Sequence, residues 1–137
     1  MVARSAALLL LGMALAGCGG HSGAPPTQES GSQTAGPFTV QLRTEPDPPR
    51  AGVDTHFRLS VQADSGPVAG ASISLQLVNK SSNTQGPMVL AQDTPGWAGR
   101  YDSQSVTIGL AGIWAAEVTV RDARRGTATA TFPFTVR

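Results

Sequence analysis

From residue 38 to the C-terminus, apolar and polar positions alternate with a period of two. Phe38, Val40 and Leu42 interleave with Thr39, Gln41 and Arg43, and Phe57, Leu59 and Val61 with Arg58, Ser60 and Gln62. The same alternation carries Ile73, Leu75 and Leu77, then Trp114, Ala116, Val118 and Val120, then Phe132, Phe134 and Val136. Successive side chains of an extended chain point to opposite sides, so each run predicts a strand with one face on a core and one in water. Thr and Val are frequent within the runs, as pleated, half-buried surfaces favour. Turn-forming stretches separate them: "EPDPPRAG", "DSGPVAG", "NKSSNTQGP", "DTPGWAG", "GLAG" and "RDARRG". No stretch after the first 17 residues keeps a helical period.

The pattern predicts about seven strands, near 38–45, 55–63, 71–79, 87–92, 100–108, 113–122 and 127–136. Seven short antiparallel strands in about one hundred residues predict an all-β fold, a single immunoglobulin-like antiparallel β-sandwich. Pro133 falls inside the last strand. Proline cannot donate to a ladder, so this position is expected on an open edge or at a bulge.

The first 37 residues have a different character. "MVARSAALLLLGMALAG" has Arg4 as its one charge, followed by an apolar run and then small residues. That is the order of a secretory signal, and the apolar run is shorter than the ~20 residues needed to cross a bilayer. It ends at Cys18, the one cysteine of the 137-residue chain. A lone thiol in an exported chain has no internal disulfide partner. Leu15-Ala16-Gly17-Cys18 resembles the lipobox of bacterial lipoproteins. The resemblance implies that residues 1–17 are removed as a signal peptide and that Cys18 carries the lipid. Two or three acyl chains, at about 0.8 kcal/mol per buried CH₂, hold a protein stably on a membrane. The absence of aspartate after Cys18 resembles outer-membrane sorting where an outer membrane exists. Residues 18–37, with "GGHSGAPPTQESGSQTAGP" after the cysteine, lack large apolar side chains and are expected to be a flexible linker. His21 lies in this linker without partner ligands. The expected domains are therefore 1–17, 18–37 and 38–137.

Composition narrows the function by exclusion. Ten Lys and Arg against nine Asp and Glu give a net charge of +1, without the basic field that nucleic acid attracts. There is no G-x-S-x-G elbow, and no cysteine is left once Cys18 is lipidated. The carboxylates mostly fall in or beside turns, where local hydrogen bonding accounts for them. The expectation is a protein that is not an enzyme and has no cofactor. Arg121, Arg124 and Arg125 surround one hairpin turn, with Asp122 among them, and are expected to be solvated.

The segment "GWAGRYDSQSVTIGLAGIWAAEVTV" opens one strand with Gly99-Arg100-Tyr101 and the next with Gly112-Ile113-Trp114. With Ala63-Asp64-Ser65-Gly66-Pro67-Val68-Ala69-Gly70-Ala71 before the third strand, it resembles the YtkA-like domains, which are related to FixH-type proteins. From the residues alone, Gly66 and Gly70 would permit positive φ in tight turns, and Tyr101 and Trp114 would be large core anchors. The resemblance implies a neighbourhood of copper handling or cytochrome-oxidase assembly. This sequence lacks the Met and His clusters of such relatives. Its remaining candidate ligands are Met88 and His56, too few for a closed metal site. Met88 is expected to fill a gap in the core, and His56 to sit at an edge or half in solvent.

Two functional readings follow. The first is a membrane-anchored extracytoplasmic lipoprotein at the cell membrane or outer membrane, held there by the lipid on Cys18. It would act as a non-catalytic binding or accessory module on a protein partner in the cell envelope. The alternative is an accessory protein in extracytoplasmic copper or metal handling or in cytochrome-oxidase assembly.

Overall fold

The computed structural model describes residues 31–137. Cys18, the expected signal peptide and residues 18–30 of the expected linker lie outside the described residues. Ten strands are present: β1 (Ser32–Ala35), β2 (Phe38–Glu45), β3 (Asp54–Ala63), β4 (Gly66–Pro67), β5 (Ser72–Asn79), β6 (Thr84–Asp93), β7 (Arg100–Ser103), β8 (Val106–Thr107), β9 (Gly112–Asp122) and β10 (Gly126–Val136). No helix occurs among the described residues.

The strands follow one hydrogen-bonded path, β1-β2-β3-β7-β6-β5-β9-β10, with β4 and β8 added to β3. Every pairing is antiparallel. The path curls until its ends approach, so the fold is an all-β sandwich nearly closed into a barrel. Two observations mark the closure. The Phe57 ring on β3 meets the Phe134 ring on β10 edge-on, 5.9 Å between centroids. Near the free edge of β10, Ala51 N–H donates to the Arg137 carbonyl at 2.7 Å, and Arg137 N–H donates to the Pro49 carbonyl at 2.9 Å. The approach of the ends leaves β1 and β10 close together, which shelters the two unpaired strand edges from other chains. Pro133 sits on β10, the last strand of the path, where a residue without a backbone N–H is tolerated.

The five alternating runs form the core. Phe38, Val40 and Leu42, Phe57, Leu59 and Val61, and Ile73, Leu75 and Leu77 are all buried, as are Val118, Val120, Phe132, Phe134 and Val136. Their polar neighbours face water.

The strands differ in four places from the sequence expectation. There are ten rather than about seven. Ser32–Ala35, assigned above to the linker, form β1 and pair with β2 across a turn at Gly36 and Pro37. Ala35 is buried there, and it supplies the apolar contact that the linker composition concealed. The expected strand 100–108 is split into β7 and β8. At the break Phe57 N–H donates to Ser103 Oγ at 2.9 Å, and Ser103 Oγ–H donates to the Gln104 carbonyl at 2.8 Å. A side chain thus takes the place of a backbone partner, and the strand leaves the ladder. Met88 is 66% exposed instead of filling the core. The run Pro87-Met88-Val89-Leu90-Ala91 is apolar at both parities, and the pleat turns Val89 and Ala91 inward.

The first of the two glycine-led strand openings also acquires a cause. Gly99 has φ +78°, and a Cβ there would lie 2.8 Å from the Val61 carbonyl. Only glycine allows its own carbonyl to accept from Val61 N–H at 2.8 Å in that conformation. Gly66 and Gly70 have positive φ as well.

Candidate functional site

The residues singled out from sequence occupy three environments. Tyr101 and Trp114 are core residues, 0% and 5% exposed. The Tyr101 hydroxyl donates to the Val68 carbonyl at 2.6 Å and accepts from Ala71 N–H at 3.2 Å, so β7 holds the turn before β5. Burial pushes its phenol above the usual tyrosine value, the Ala71 N–H acts the other way, and the nearby Asp93 carboxylate adds to the rise. The Trp114 indole N–H donates to the Leu110 carbonyl at 3.0 Å, and its ring lies against Gly86, where a Cβ would come within 2.6 Å. Neither aromatic faces a ligand-accessible space.

His56 and Met88 are both exposed but are not neighbours. His56 stands on β3 opposite Glu45 of β2, and Met88 stands on β6 opposite Gln76 of β5. β7 lies between β3 and β6, which puts about 10 Å of lateral distance between the two strands. His56 is therefore not on an edge strand. It borders an open hollow of about 660 Å³ with Glu45, Asp54, Arg58 and Asp102. Among the described residues, no group of three or more His, Cys, Asp or Glu side chains is arranged to hold a metal ion.

The hairpin arginines are also used locally. Asp122 accepts from the backbone N–H groups of Arg124 (2.7 Å) and Arg125 (2.9 Å), which holds its carboxyl below the usual aspartate value. The Arg125 guanidinium reaches Asp122 at 3.4 Å and Ser65 at 2.7 Å.

The most organised polar surface is the outer face of β2, β3 and β7. Strand register lays it out in two rows: Gln41, Ser60 and Arg100, then Arg43, Arg58 and Asp102. Trp97, in the loop between β6 and β7, covers one end of the rows. The Arg100 guanidinium lies 4.4 Å from the Trp97 ring centroid, a cation–π contact. These residues line a shallow groove of about 440 Å³. Within it Arg58 is bracketed by carboxylates, 2.8 Å from Glu45 and 3.6 Å from Asp102. Asp102 is itself held by Thr94 Oγ1 at 2.7 Å. Among the described residues, Arg43 and Arg100 have no carboxylate in ion-pair range. Arg43 also stands directly opposite Arg58, and like charges at opposed positions repel. The face can engage anionic or planar groups.

Sequence reading placed Arg43 and Arg58 on outward faces but did not assemble this cluster. The signal it could have used is the coincidence of outward arginines on three strands. That signal needs the β2-β3-β7 order, which lies in no local pattern.

No family model and no curated relative matches the chain. Solved structures do resemble it. One is the "as isolated" FetP of uropathogenic Escherichia coli strain F11, expressed recombinantly in the periplasm. It is 13% identical with a TM-score of 0.51, over 77% of this chain and 92% of that one. Another is a copper-bound variant of the same FetP, 11% identical with a TM-score of 0.54, over 77% of this chain and 89% of that one. At these identities the likeness establishes a shared fold: residues 31–137 adopt an all-β architecture like that of FetP.

Proposed function

We propose that this chain is a membrane-anchored extracytoplasmic lipoprotein whose β-domain acts as a non-catalytic binding or accessory module. The observation that carries the reading is the β2–β3–β7 face, with Arg43, Arg100 and Trp97 uncommitted to other side chains beyond their own stacking contact. Charged and aromatic groups held on rigid strands and left open to solvent are the usual make-up of a contact surface. The signal-like start and Cys18 support the location, as does the shared fold with a protein produced in the periplasm. Metabolic labelling with a fatty-acid analogue tests the anchor. The wild type should be tagged and Cys18→Ala should not; equal labelling of both would refute it.

The alternative, copper or metal handling, is favoured by one observation: a structure of the same fold has copper bound. Against it stand the separation of His56 from Met88 and their different chemistry, one imidazole and one thioether.

A further inference from the structure

We propose that the face bearing Arg43, Arg58, Arg100 and Trp97 docks on the anionic phosphate headgroups of the membrane to which the chain is tethered. The inference rests on the lipoprotein reading above and adds a lipid surface as the occupant of that face.

Three observations carry it. The first is charge. Arg58 is neutralised by Glu45 and Asp102, while Arg43 and Arg100 stand uncompensated to either side of the central strand β3. A phosphate oxygen beside Arg43 or Arg100 would supply the counter-charge that each lacks. The second is the aromatic. Trp97 is 59% exposed beside Arg100, and an indole, apolar with one polar N–H, is favoured at the boundary between headgroups and water.

The third is where the chain enters the domain. Leu42 N–H donates to the Gly31 carbonyl at 3.4 Å, and Leu42 lies between Gln41 and Arg43 on β2. The polypeptide that leads back to Cys18 therefore leaves alongside the strand that carries Arg43. Residues 19–30 have a contour length of at most about 43 Å. The anchor thus keeps this face close to the bilayer, where a weak individual contact is made effectively intramolecular. The other arginine-rich surface, the β9–β10 hairpin, also has one engaged arginine, Arg125, but among the described residues it carries no exposed aromatic side chain, and so is the poorer candidate.

The test uses the chain from residue 19 to 137, without its lipid. Every described strand and the described core lie within 31–137, so this chain keeps them. Binding is measured by flotation with vesicles of phosphatidylglycerol mixed into phosphatidylcholine, and with phosphatidylcholine alone. Tryptophan fluorescence serves as a second readout, because of the two tryptophans Trp97 is exposed and Trp114 is already buried. The expected result is binding to the anionic vesicles only, weakened by raising salt, with a blue shift from Trp97. Arg43→Gln and Arg100→Gln should each weaken it about five-fold, whereas Arg121→Gln and Arg124→Gln, the same charge change elsewhere, should leave it unaltered. Equal losses in the control variants, equal binding to pure phosphatidylcholine, or no binding to either vesicle would overturn the proposal. So would capture of soluble polyglutamate in preference to anionic vesicles, which would assign the face to an acidic protein partner. Because Cys18 is absent from this experiment, its failure leaves the labelling result untouched, and failure of labelling would not mimic it.

Discussion

Removing one oxygen atom at Tyr101 separates the packing role of this residue from its hydrogen-bonding role. In Tyr101→Phe the ring still fills the core, while the Val68 carbonyl and the Ala71 N–H lose the hydroxyl that served both. Both residues are buried. A buried backbone group without a partner costs about 1–3 kcal/mol. Ala71 lies close enough to the surface for water to satisfy part of its loss, so the expected total is about 2 kcal/mol. For a domain of this size that corresponds to a fall in Tm of roughly 5–15 °C. Urea titration should show a lower midpoint at an unchanged slope.

The same hydroxyl predicts an alkaline transition. Its pKa is raised by burial in the folded state, so the folded protein holds the phenolic proton more tightly than the unfolded chain does. The stability that this contributes is fully present below the ordinary tyrosine value and is lost as pH rises through the folded-state value. The chain contains one tyrosine, so phenolate absorbance reports Tyr101 alone. The phenolate should appear above the usual range, together with loss of near-ultraviolet circular dichroism, and Tyr101→Phe should show a shallower alkaline loss. A wild-type urea midpoint in Tyr101→Phe, or a phenol titrating normally in an intact fold, would refute the reasoning.

Trp114→Ala should cost about 3–5 kcal/mol, because the indole is buried against Gly86 and the cavity left behind has a rigid backbone wall. A denaturant midpoint equal to wild type would show the ring to be dispensable. In a competition titration under reducing conditions, the chain from residue 19 should not withdraw Cu(I) from a tight chelator, since Met88 and His56 stand on strands separated by β7. Stoichiometric withdrawal, lost in Met88→Ala or His56→Ala, would move metal handling ahead of the binding-module reading.

The sequence by itself determined the class of fold and most of the core. Phe38, Val40, Leu42, Phe57, Leu59 and Val61 announce their burial through period-two alternation, which is a property of neighbouring residues and needs no knowledge of the rest of the chain. Where alternation is missing the sequence was silent: Pro87–Ala91 is apolar at both parities, and only the pleat of β6 against β5 turned Met88 outward. The linker composition of 18–37 likewise hid β1, whose four residues become a strand because β2 offers them a partner. The candidate face was decided entirely by tertiary structure. Arg43, Arg58 and Arg100 are up to 57 positions apart in the chain, and the order β2-β3-β7 with its register sets them in adjacent rows. Strand order is a long-range choice, fixed by which apolar faces can close one core together. The chemistry of this surface is a by-product of that closure and is written in no local pattern.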